Sequence, residues 1–261
     1  MRVALCQIEV EDDPRANLAA AGRALEQCPD ADLAIFPEAM LTRFGNDLNS
    51  LAQPVDGPFV TGLRERAREA GTAVIAGIFE PSDHGKVYNT AVAIDAGGGL
   101  VSTYRKIHLF DAFSFAESDD VSAGNEPAIV DIAGTRIGLV TCYDLRFPEL
   151  FRALVDRGAE AFVIIAAWAQ GTFKEEHWMT LVRARAIENT MWTVAVDKAG
   201  DQTKPPSGAR TGIGRSIVVD PMGAVRVDLG MFPSVETYEI DMGLTDTVRK
   251  ILPSLSHRVL R

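Results

Sequence analysis

The chain has few of the residues that build metal sites or disulfide scaffolds. Its 261 residues include four histidines and three cysteines. The histidines form no closely spaced pair of the kind that binds zinc, so we expect no metal site. An odd number of cysteines in a chain of this length favours free thiols in a reducing compartment over a disulfide framework.

Long apolar runs and basic clusters are also lacking. No stretch approaches the roughly 18 uninterrupted apolar residues that a membrane helix needs. Lys and Arg number 26 against 36 Asp and Glu, for a formal net charge of -10, and no Lys/Arg run offers the basic face that nucleic-acid binding requires. The N-terminal segment lacks the apolar stretch and cleavage site of a secretory signal. We therefore expect a cytoplasmic protein that binds neither nucleic acid nor membrane.

The apolar residues follow two kinds of pattern along the chain, one typical of strands and one typical of helices. They make up 47% of the chain, enough for a sizeable core. Runs of strand length alternate with segments of helical spacing, without a linker or repeat, which predicts one α/β domain over residues 1–261. The predicted strands cover residues 3–8, 32–36, 73–79, 87–94, 101–104, 129–132, 136–141, 162–166, 192–196, 213–219 and 235–240. Four helices are predicted. The first starts at Pro14, and the others cover residues 58–70, 147–156 and 175–188.

Cys142 lies where an apolar strand ends, a few residues before a helical pattern begins. A nucleophile at such a turn is exposed at the top of a sheet, where backbone N–H groups can meet a developing oxyanion. The alternative is a buried structural cysteine, the fate that we expect for Cys6 in a strand and Cys28 at a helix end.

A cysteine nucleophile needs a base or a lowered pKa. Glu38 is one candidate base, because it directly follows a buried strand, where a carboxylate is costly unless it is paired or used. A solvated loop position would explain it equally well. A Cys–His pair is the other possibility, since any histidine could reach Cys142 in space: His84, His108, His177 and His257.

Lys106 also lies just beyond a predicted strand. A cation beside a carboxylate and a thiol would favour the thiolate and attract a negative oxygen. Considered without Glu38 and Cys142, Lys106 would be interpreted as a surface lysine. Three strand ends that bear Glu, Lys and Cys in this order are a more specific signal than any one of them. The segment 107–127 after Lys106 is long for a loop, which is typical of functional loops.

Three segments around these residues resemble the signatures of the nitrilase, or carbon–nitrogen hydrolase, superfamily: IFPEAMLTRF, YRKIHLFD and TCYDLRFPEL. EEHWMTLVRARAIENTMW and GRSIVVDPMGAV are similar to later segments of the same family, so the resemblance covers essentially the whole chain. Within the family, the chain is most similar to small amidases that act on ω-amides of carboxylic acids, including α-keto acid amides and deaminated glutathione.

The resemblance implies a four-layer α-β-β-α sandwich and a homodimer or larger assembly. It implies no cofactor. The implied catalytic residues are Glu38, Lys106, Cys142 and, in the loop after the lysine, Glu117. The implied substrate-binding residues are Tyr143, Trp168, Ala169 and Gln170. We also expect Arg146 and Glu149 to form buried ion pairs behind the nucleophile.

The implied reaction is acyl transfer from a small amide through a thioester on Cys142, with Glu38 as base and Lys106 at the oxyanion. Three other functions remain open: hydrolysis of N-carbamoyl amines or aliphatic amides, Cys–His hydrolysis, and a non-catalytic binding role. The three intact catalytic positions argue against the last. The segment AAWAQGTF lacks the Pro-x-Ala-Phe pattern of mammalian-type amidases, which leaves the substrate open.

Overall fold

The computed structural model describes residues 1–83, 85–200 and 212–260. Its strands are β1 Arg2–Gln7, β2 Leu33–Ile35, β3 Ala73–Pro81, β4 Val87–Ile94, β5 Leu100–Arg105, β6 Asp111–Ala112, β7 Phe115–Ala116, β8 Val121–Ser122, β9 Ile129–Ile132, β10 Thr135–Thr141, β11 Ala161–Ala166, β12 Trp192–Asp197, β13 Ile217–Val219, β14 Val225–Asp228 and β15 Ser234–Glu239. Its helices are α1 Pro14–Glu26, α2 Leu48–Leu51, α3 Pro58–Ala70, α4 Pro148–Asp156, α5 Lys174–Asn189 and α6 Met242–Ile251.

The described strands form two large sheets and a small hairpin. The first sheet runs in the order β15-β1-β2-β3-β4-β5, with β8 paired to β4. The second runs β14-β13-β12-β11-β10-β9, and β6 pairs with β7. The centres of both sheets are parallel, β1 to β3 in the first and β10 to β12 in the second. Because neighbouring parallel strands end at the same edge, each sheet gathers several carboxyl ends on one side.

Side-chain alternation along β1 shows how the first sheet is covered. Val3 and Leu5 belong to the core that also contains the residues of the second sheet. Ala4 and Cys6 point to the opposite face and pack with α1 and α3. Since successive side chains of a strand point to opposite faces, one strand serves two cores.

Helices α4 and α5 cover the outer face of the second sheet. The ring of Phe151 on α4 meets that of Phe162 on β11 edge to face, with centroids 4.9 Å apart. Helix α5 buries Trp178, Val182 and Ala186, which lie four residues apart on one face. The order helix, sheet, sheet, helix confirms the predicted four-layer α-β-β-α sandwich.

Helix ends follow the local signals of the sequence. The side chain of Asp13 accepts the N–H of Arg15 at 2.9 Å, and Pro14 occupies the first turn of α1. Helix α3 ends at Gly71, whose φ of 64° is the left-handed conformation of a C-terminal cap. In the described ranges, no helix is both long enough and apolar enough to cross a bilayer.

The strand prediction for residues 213–219 is wrong at its beginning. Only Ile217–Val219 is a strand, because Gly214 and Arg215 have φ values of 66° and 55° and break the extended backbone. Strand Val225–Asp228 and helix Met242–Ile251 were not predicted from the sequence. The residues of that strand are half-buried or exposed, and the alternating segment VRVD is only four residues long.

Candidate active site

Three strand ends bring the candidate residues to one place. Glu38 follows β2, Lys106 directly follows β5, and Cys142 directly follows β10. The two sheets are joined here, because the N–H of Glu38 donates to the carbonyl of Ala166 at 3.3 Å. The N–H of Ala167 donates in return to Glu38 Oε2 at 2.7 Å. This exchange holds a carboxylate of the first sheet against the end of the second.

Lys106 lies between two buried carboxylates. Its Nζ is 3.1 Å from Glu38 Oε1 and 2.8 Å from Glu117 Oε2. All three side chains are 1% exposed. Burial alone disfavours the ammonium, but the charges of Glu117 and Glu38 outweigh it and raise the pKa of Lys106 well above its usual value. The lysine is therefore a fixed cation, and the three charges sum to one negative charge.

Asn89 joins the two carboxylates from the neighbouring strand. Its Nδ2 donates to Glu38 Oε1 at 2.7 Å and to Glu117 Oε1 at 3.0 Å. Glu117 also accepts the N–H of Phe110 at 2.7 Å. Donors therefore surround both carboxylates, as buried charges require. The Oδ1 atom of Asn89 is itself buried without a hydrogen-bond partner in the described residues.

Cys142 begins a 3-10 turn, Cys142–Arg146, in a left-handed conformation with φ of 49°. Backbone strain of this kind clusters at functional sites. Burial raises the pKa of the Cys142 thiol, as do the charge and hydrogen bond of Glu38, while Lys106 opposes the shift. The thiol is consequently protonated at rest, and a base must remove its proton when it attacks.

Asp144 fixes the turn that carries Cys142. Its fully buried carboxylate accepts the N–H of Thr141 at 3.1 Å and the hydroxyl of Tyr104 at 2.7 Å. It also accepts the N–H of His108 at 3.0 Å, and His108 Nδ1 lies at 2.7 Å. Tyr104 and His108 flank Lys106 in the sequence. One carboxylate thus ties the turn of the cysteine to the segment of the lysine.

The loop of Glu38 rests on the backbone of Gly77 in β3. Gly77 donates to the carbonyl of Pro37 at 3.1 Å and accepts the N–H of Met40 at 2.7 Å. A Cβ at position 77 would lie 2.6 Å from the nitrogen of Ala39 and 2.7 Å from the Cα of Glu38. Only glycine allows this close approach.

These residues open onto a cavity of about 290 Å³. Its walls include Glu38, Phe44, Gly45, Lys106, Phe110, Phe115, Glu117, Cys142, Tyr143, Ala167, Trp168, Ala169 and Lys174. Three of the four predicted substrate-binding residues are among them. Gln170 is not, because its side-chain amide donates instead to the carbonyl of Gly212 at 3.2 Å.

Trp168 forms a fixed part of the cavity wall. Its backbone N–H donates to Asp197 Oδ1 at 2.6 Å, and its indole Nε1 donates to the carbonyl of Lys174 at 2.9 Å. The expectation that Arg146 and Glu149 form buried ion pairs is wrong. Glu149 is exposed, and the guanidinium of Arg146 lies 5.0 Å from the ring centre of Trp168. Packing on an aromatic ring replaces the ion pair.

The family model of carbon–nitrogen hydrolases matches residues 2–250. The chain belongs to the carbon–nitrogen hydrolase family. A hydrolase of Mycobacterium tuberculosis is 43% identical over 253 residues, which are 93% of this chain and 90% of the relative. The deaminated glutathione amidase of Escherichia coli O157:H7 is 36% identical over 264 residues, 99% of this chain and 97% of the relative.

A solved member of the carbon–nitrogen hydrolase superfamily has the same fold. The protein XC1258 of Xanthomonas campestris, which carries an arsenic adduct in its active site, superposes with a TM-score of 0.89 at 30% identity. The match covers 100% of this chain and 98% of that one. The chain is thus a carbon–nitrogen hydrolase in sequence and in fold.

The histidines that the structure describes lie outside the cavity wall of this hydrolase. His108 is held by Asp144 and stacks on Phe147 at 3.8 Å. His177 Nδ1 is 3.3 Å from Arg146, and His257 is exposed. The remaining candidate for a Cys–His pair, His84, lies outside the described residues. Within the described chain, the base nearest to the thiol is a carboxylate.

Sequence reasoning did not identify Asn89 and Lys174 as site residues. Asn89 lies inside β4, and in the sequence a polar residue within a strand looks like an ordinary residue of a half-buried strand. Lys174 begins a helix, where a charged side chain is usually solvated. No distinctive signal marked either position, since Asn89 lies in VYNTAV and Lys174 in GTFKEEHW. A sequence does not show which strand faces which loop.

Proposed function

We propose that this carbon–nitrogen hydrolase converts the amide of a small carboxylic acid into the acid and ammonia through a thioester on Cys142. The observation that carries the proposal is the buried cluster of Glu38, Lys106 and Glu117 next to that thiol in a cavity of about 290 Å³. The cavity is at the small end of the range for ligand pockets, which favours a small substrate. A relative named as an amidase supports the same reaction class.

The first half-reaction forms the acyl-enzyme. Glu38 removes the thiol proton as the sulfur of Cys142 attacks the amide carbon, and the carbonyl electrons move onto oxygen. The ammonium of Lys106 and the backbone N–H of Tyr143 stabilise this oxyanion. Collapse of the tetrahedral intermediate breaks the C–N bond, and the proton now on the carboxyl group of Glu38 passes to the departing ammonia.

The second half-reaction releases the acid. A water molecule gives a proton to Glu38 and attacks the thioester carbon. The C–S bond breaks, and the thiolate of Cys142 recovers the proton. Glu117 accepts hydrogen bonds from Lys106 and Phe110, so its proposed role is to hold the lysine and the negative charge of the cluster in place.

Intact-protein mass spectrometry with parallel ammonia assays tests this function. The panel contains ω-amides of dicarboxylic acids, deaminated glutathione, aliphatic amides and an N-carbamoyl amine. We expect ammonia release and an acyl adduct that Cys142→Ala abolishes and Cys28→Ala retains, because Cys28 is buried in the other core. Ammonia release by Cys142→Ala would overturn the mechanism. No ammonia and no adduct across the panel would favour a binding role.

We further propose that residues 1–261 form one domain that acts as a cytoplasmic homodimer or larger homo-oligomer. The family match over residues 2–250 supports a single domain. Free thiols at Cys6, Cys28 and Cys142 support a reducing compartment. Exposed apolar side chains on α5 and on the turn after β13 support a subunit interface.

A further inference from the structure

A buried arginine on α5 holds the turn that carries Cys142. Arg185 is 5% exposed, and its Nε and Nη2 atoms donate to the carbonyl of Leu145 at 3.0 and 2.8 Å. Leu145 belongs to the 3-10 turn Cys142–Arg146. A carbonyl oxygen has two lone pairs, so one guanidinium satisfies this oxygen completely. Two hydrogen bonds thus fasten the helix to the turn of the nucleophile.

The guanidinium is itself held on its other sides. Its Nη1 donates to Glu188 Oε1 at 2.9 Å, and its central carbon lies 5.3 Å from the ring centre of Phe151 on α4. The backbone carbonyl of Arg185 accepts Nδ2 of Asn189 at 2.9 Å. A guanidinium is planar and presents its donors as a rigid fork. Because these contacts restrain the fork, the position of α5 sets the position of Leu145.

The turn needs restraint because its first residue is strained. Cys142 has a φ of 49°, a conformation that persists only where the surrounding structure enforces it. Asp144 anchors the beginning of the turn by accepting the N–H of Thr141 at 3.1 Å. Arg185 anchors its end from the outer layer of helices. The thiol of Cys142 and the N–H of Tyr143 lie between these two anchors along the chain.

The proposed reaction is sensitive to the geometry of this turn. A donor stabilises an oxyanion when it lies about 2.7–3.1 Å from it, and a misplacement of about 1 Å lowers the rate by about 10²-fold. Among the described residues, the cavity wall does not include Arg185. A shift of the turn therefore slows the attack on the amide carbon more than it weakens substrate binding.

We propose that Arg185 is a positioning residue of the hydrolase. Through the carbonyl of Leu145, it keeps the sulfur of Cys142 and the N–H of Tyr143 in the geometry that the attack requires. The inference rests on the proposed amide hydrolysis. Arg185 touches neither the substrate nor the reacting atoms in this assignment, so its effect passes through the backbone of the turn.

Steady-state kinetics and urea unfolding of matched variants test the assignment. Arg185→Met removes every donor of the side chain, and Arg185→Lys keeps the charge and one donor group. Trp192→Phe is the control, because it removes a buried hydrogen bond from the indole to the carbonyl of Asp241, 2.8 Å long, at the amino end of β12. The groups of the site lie at the carboxyl ends of the strands.

The kinetic constants should separate positioning from stability. We expect Arg185→Met to lower kcat by about 10²-fold at nearly constant KM, and Arg185→Lys to recover part of the loss. Trp192→Phe should lose stability and keep the kcat of wild type. Where Arg185→Met fails to fold, Arg185→Gln carries the same test, since it keeps one donor group without the fork, and its kcat should also fall at constant KM.

Hydrogen–deuterium exchange with mass spectrometry tests the anchor without turnover. Exchange at residues 142–146 should become faster in Arg185→Met than in wild type and stay unchanged in Trp192→Phe, because only the first variant frees the turn. Faster exchange there in an enzyme whose wild type releases no ammonia would support the anchor and reject the amidase.

Three results would overturn the assignment. Wild-type kcat in Arg185→Met would show that the reaction does not depend on this contact. An equal loss of kcat in Trp192→Phe would reduce the effect to lost stability. Unchanged exchange at residues 142–146 in Arg185→Met would show that Arg185 does not hold the turn.

Discussion

Glu38 acts on the thiol of Cys142 in two opposite ways. Its charge and hydrogen bond contribute to raising the thiol pKa, behind the larger effect of burial, and so keep the proton on sulfur at rest. In the proposed reaction, the same carboxylate takes that proton when the sulfur attacks the amide carbon. The proposed base would therefore lower the fraction of thiolate at rest and still accelerate the attack.

The variant Glu38→Gln separates these two effects. We expect turnover to fall by about 10²–10⁴, the usual contribution of a general base. We also expect the thiol pKa to fall, since a negative neighbour is lost while Lys106 keeps its charge. Thiolate forms above its pKa, so the rise in iodoacetamide labelling of Cys142 should move to lower pH in the variant.

Glu65→Gln is the matched control, because Glu65 is exposed on α3. It should leave both the turnover and the labelling curve of wild type unchanged. A labelling curve that shifts to higher pH in Glu38→Gln would contradict the electrostatic account. Retained turnover in that variant would remove Glu38 from the role of base.

At the residue scale, the sequence revealed the groups that follow strands and missed those that lie inside elements. Glu38, Lys106 and Cys142 each lie just beyond a predicted strand, so their position was visible. Asn89 lies within β4, and the two carboxylates that it reaches are 51 and 28 residues away along the chain. Gln170 follows a strand closely, yet its side chain turns to Gly212.

At the scale of elements, the packing of β3 against the loop of Glu38 decides where the proposed base lies. Gly77→Ala would place a Cβ 2.7 Å from the Cα of Glu38, so the loop must move. We expect a loss of kcat of about 10²-fold from a displacement near 1 Å, with a drop of about 1–3 kcal/mol in unfolding free energy.

Gly22→Ala on α1 is the control for Gly77→Ala. A Cβ there would lie 3.4 Å from the side chain of Arg66, which can adjust, and alanine favours a helix by about 0.5–1 kcal/mol over glycine. Activity assays and urea unfolding of both variants check the prediction. Wild-type kcat in Gly77→Ala would show that the Glu38 loop is not held by this contact.

The turn of Cys142 is a second element whose geometry depends on buried side chains. Asp144→Asn replaces one carboxylate oxygen, which accepts hydrogen bonds, by an NH2 group, which cannot. The donors of Thr141, Tyr104 and His108 then share the one oxygen that remains. We expect a loss of about 1–3 kcal/mol in stability for a donor left unsatisfied, together with reduced kcat. Asp131→Asn in β9, where the side chain is exposed, should change neither in urea unfolding and ammonia assays.

Most helices and most edge strands of the sandwich could be predicted, but α2, α6 and β14 were missed. Amphipathic spacing and end signals located α1, α3, α4 and α5, because one face of each packs on a sheet. Strand β14 lies at the sheet edge with little burial, and its alternating segment VRVD is only four residues long. Edge elements take their structure from the neighbour that pairs with them.

At the scale of the whole molecule, the site depends on two stacked sheets whose strand ends meet at one edge of the sandwich. The hydrogen bonds of Glu38 with Ala166 and Ala167 cross from one sheet to the other. The two halves therefore share one reaction centre. Their outer surfaces remain available for contacts with a second copy of the chain.

The proposed homo-oligomer is tested at the apolar surface formed by α5 and the β13–β14 turn. Ile187 is 40% exposed, Met222 is 54% exposed, and Val225 is 38% exposed. The turn lies against the helix, since a Cβ on Gly223 would be 2.3 Å from the side chain of Ile187. A contiguous apolar surface of this kind is typical of a subunit interface.

Size-exclusion chromatography with light scattering gives the mass of the assembly. Wild type is expected at twice the 28.2 kDa chain mass or more. Met222→Asp buries a charge in the proposed interface and should shift the mass toward a single chain. Val101→Asp makes the same kind of change on β5, where Val101 is 46% exposed, and should leave the mass unchanged. A monomeric wild type would reject the assembly, and an unchanged Met222→Asp would move its interface elsewhere.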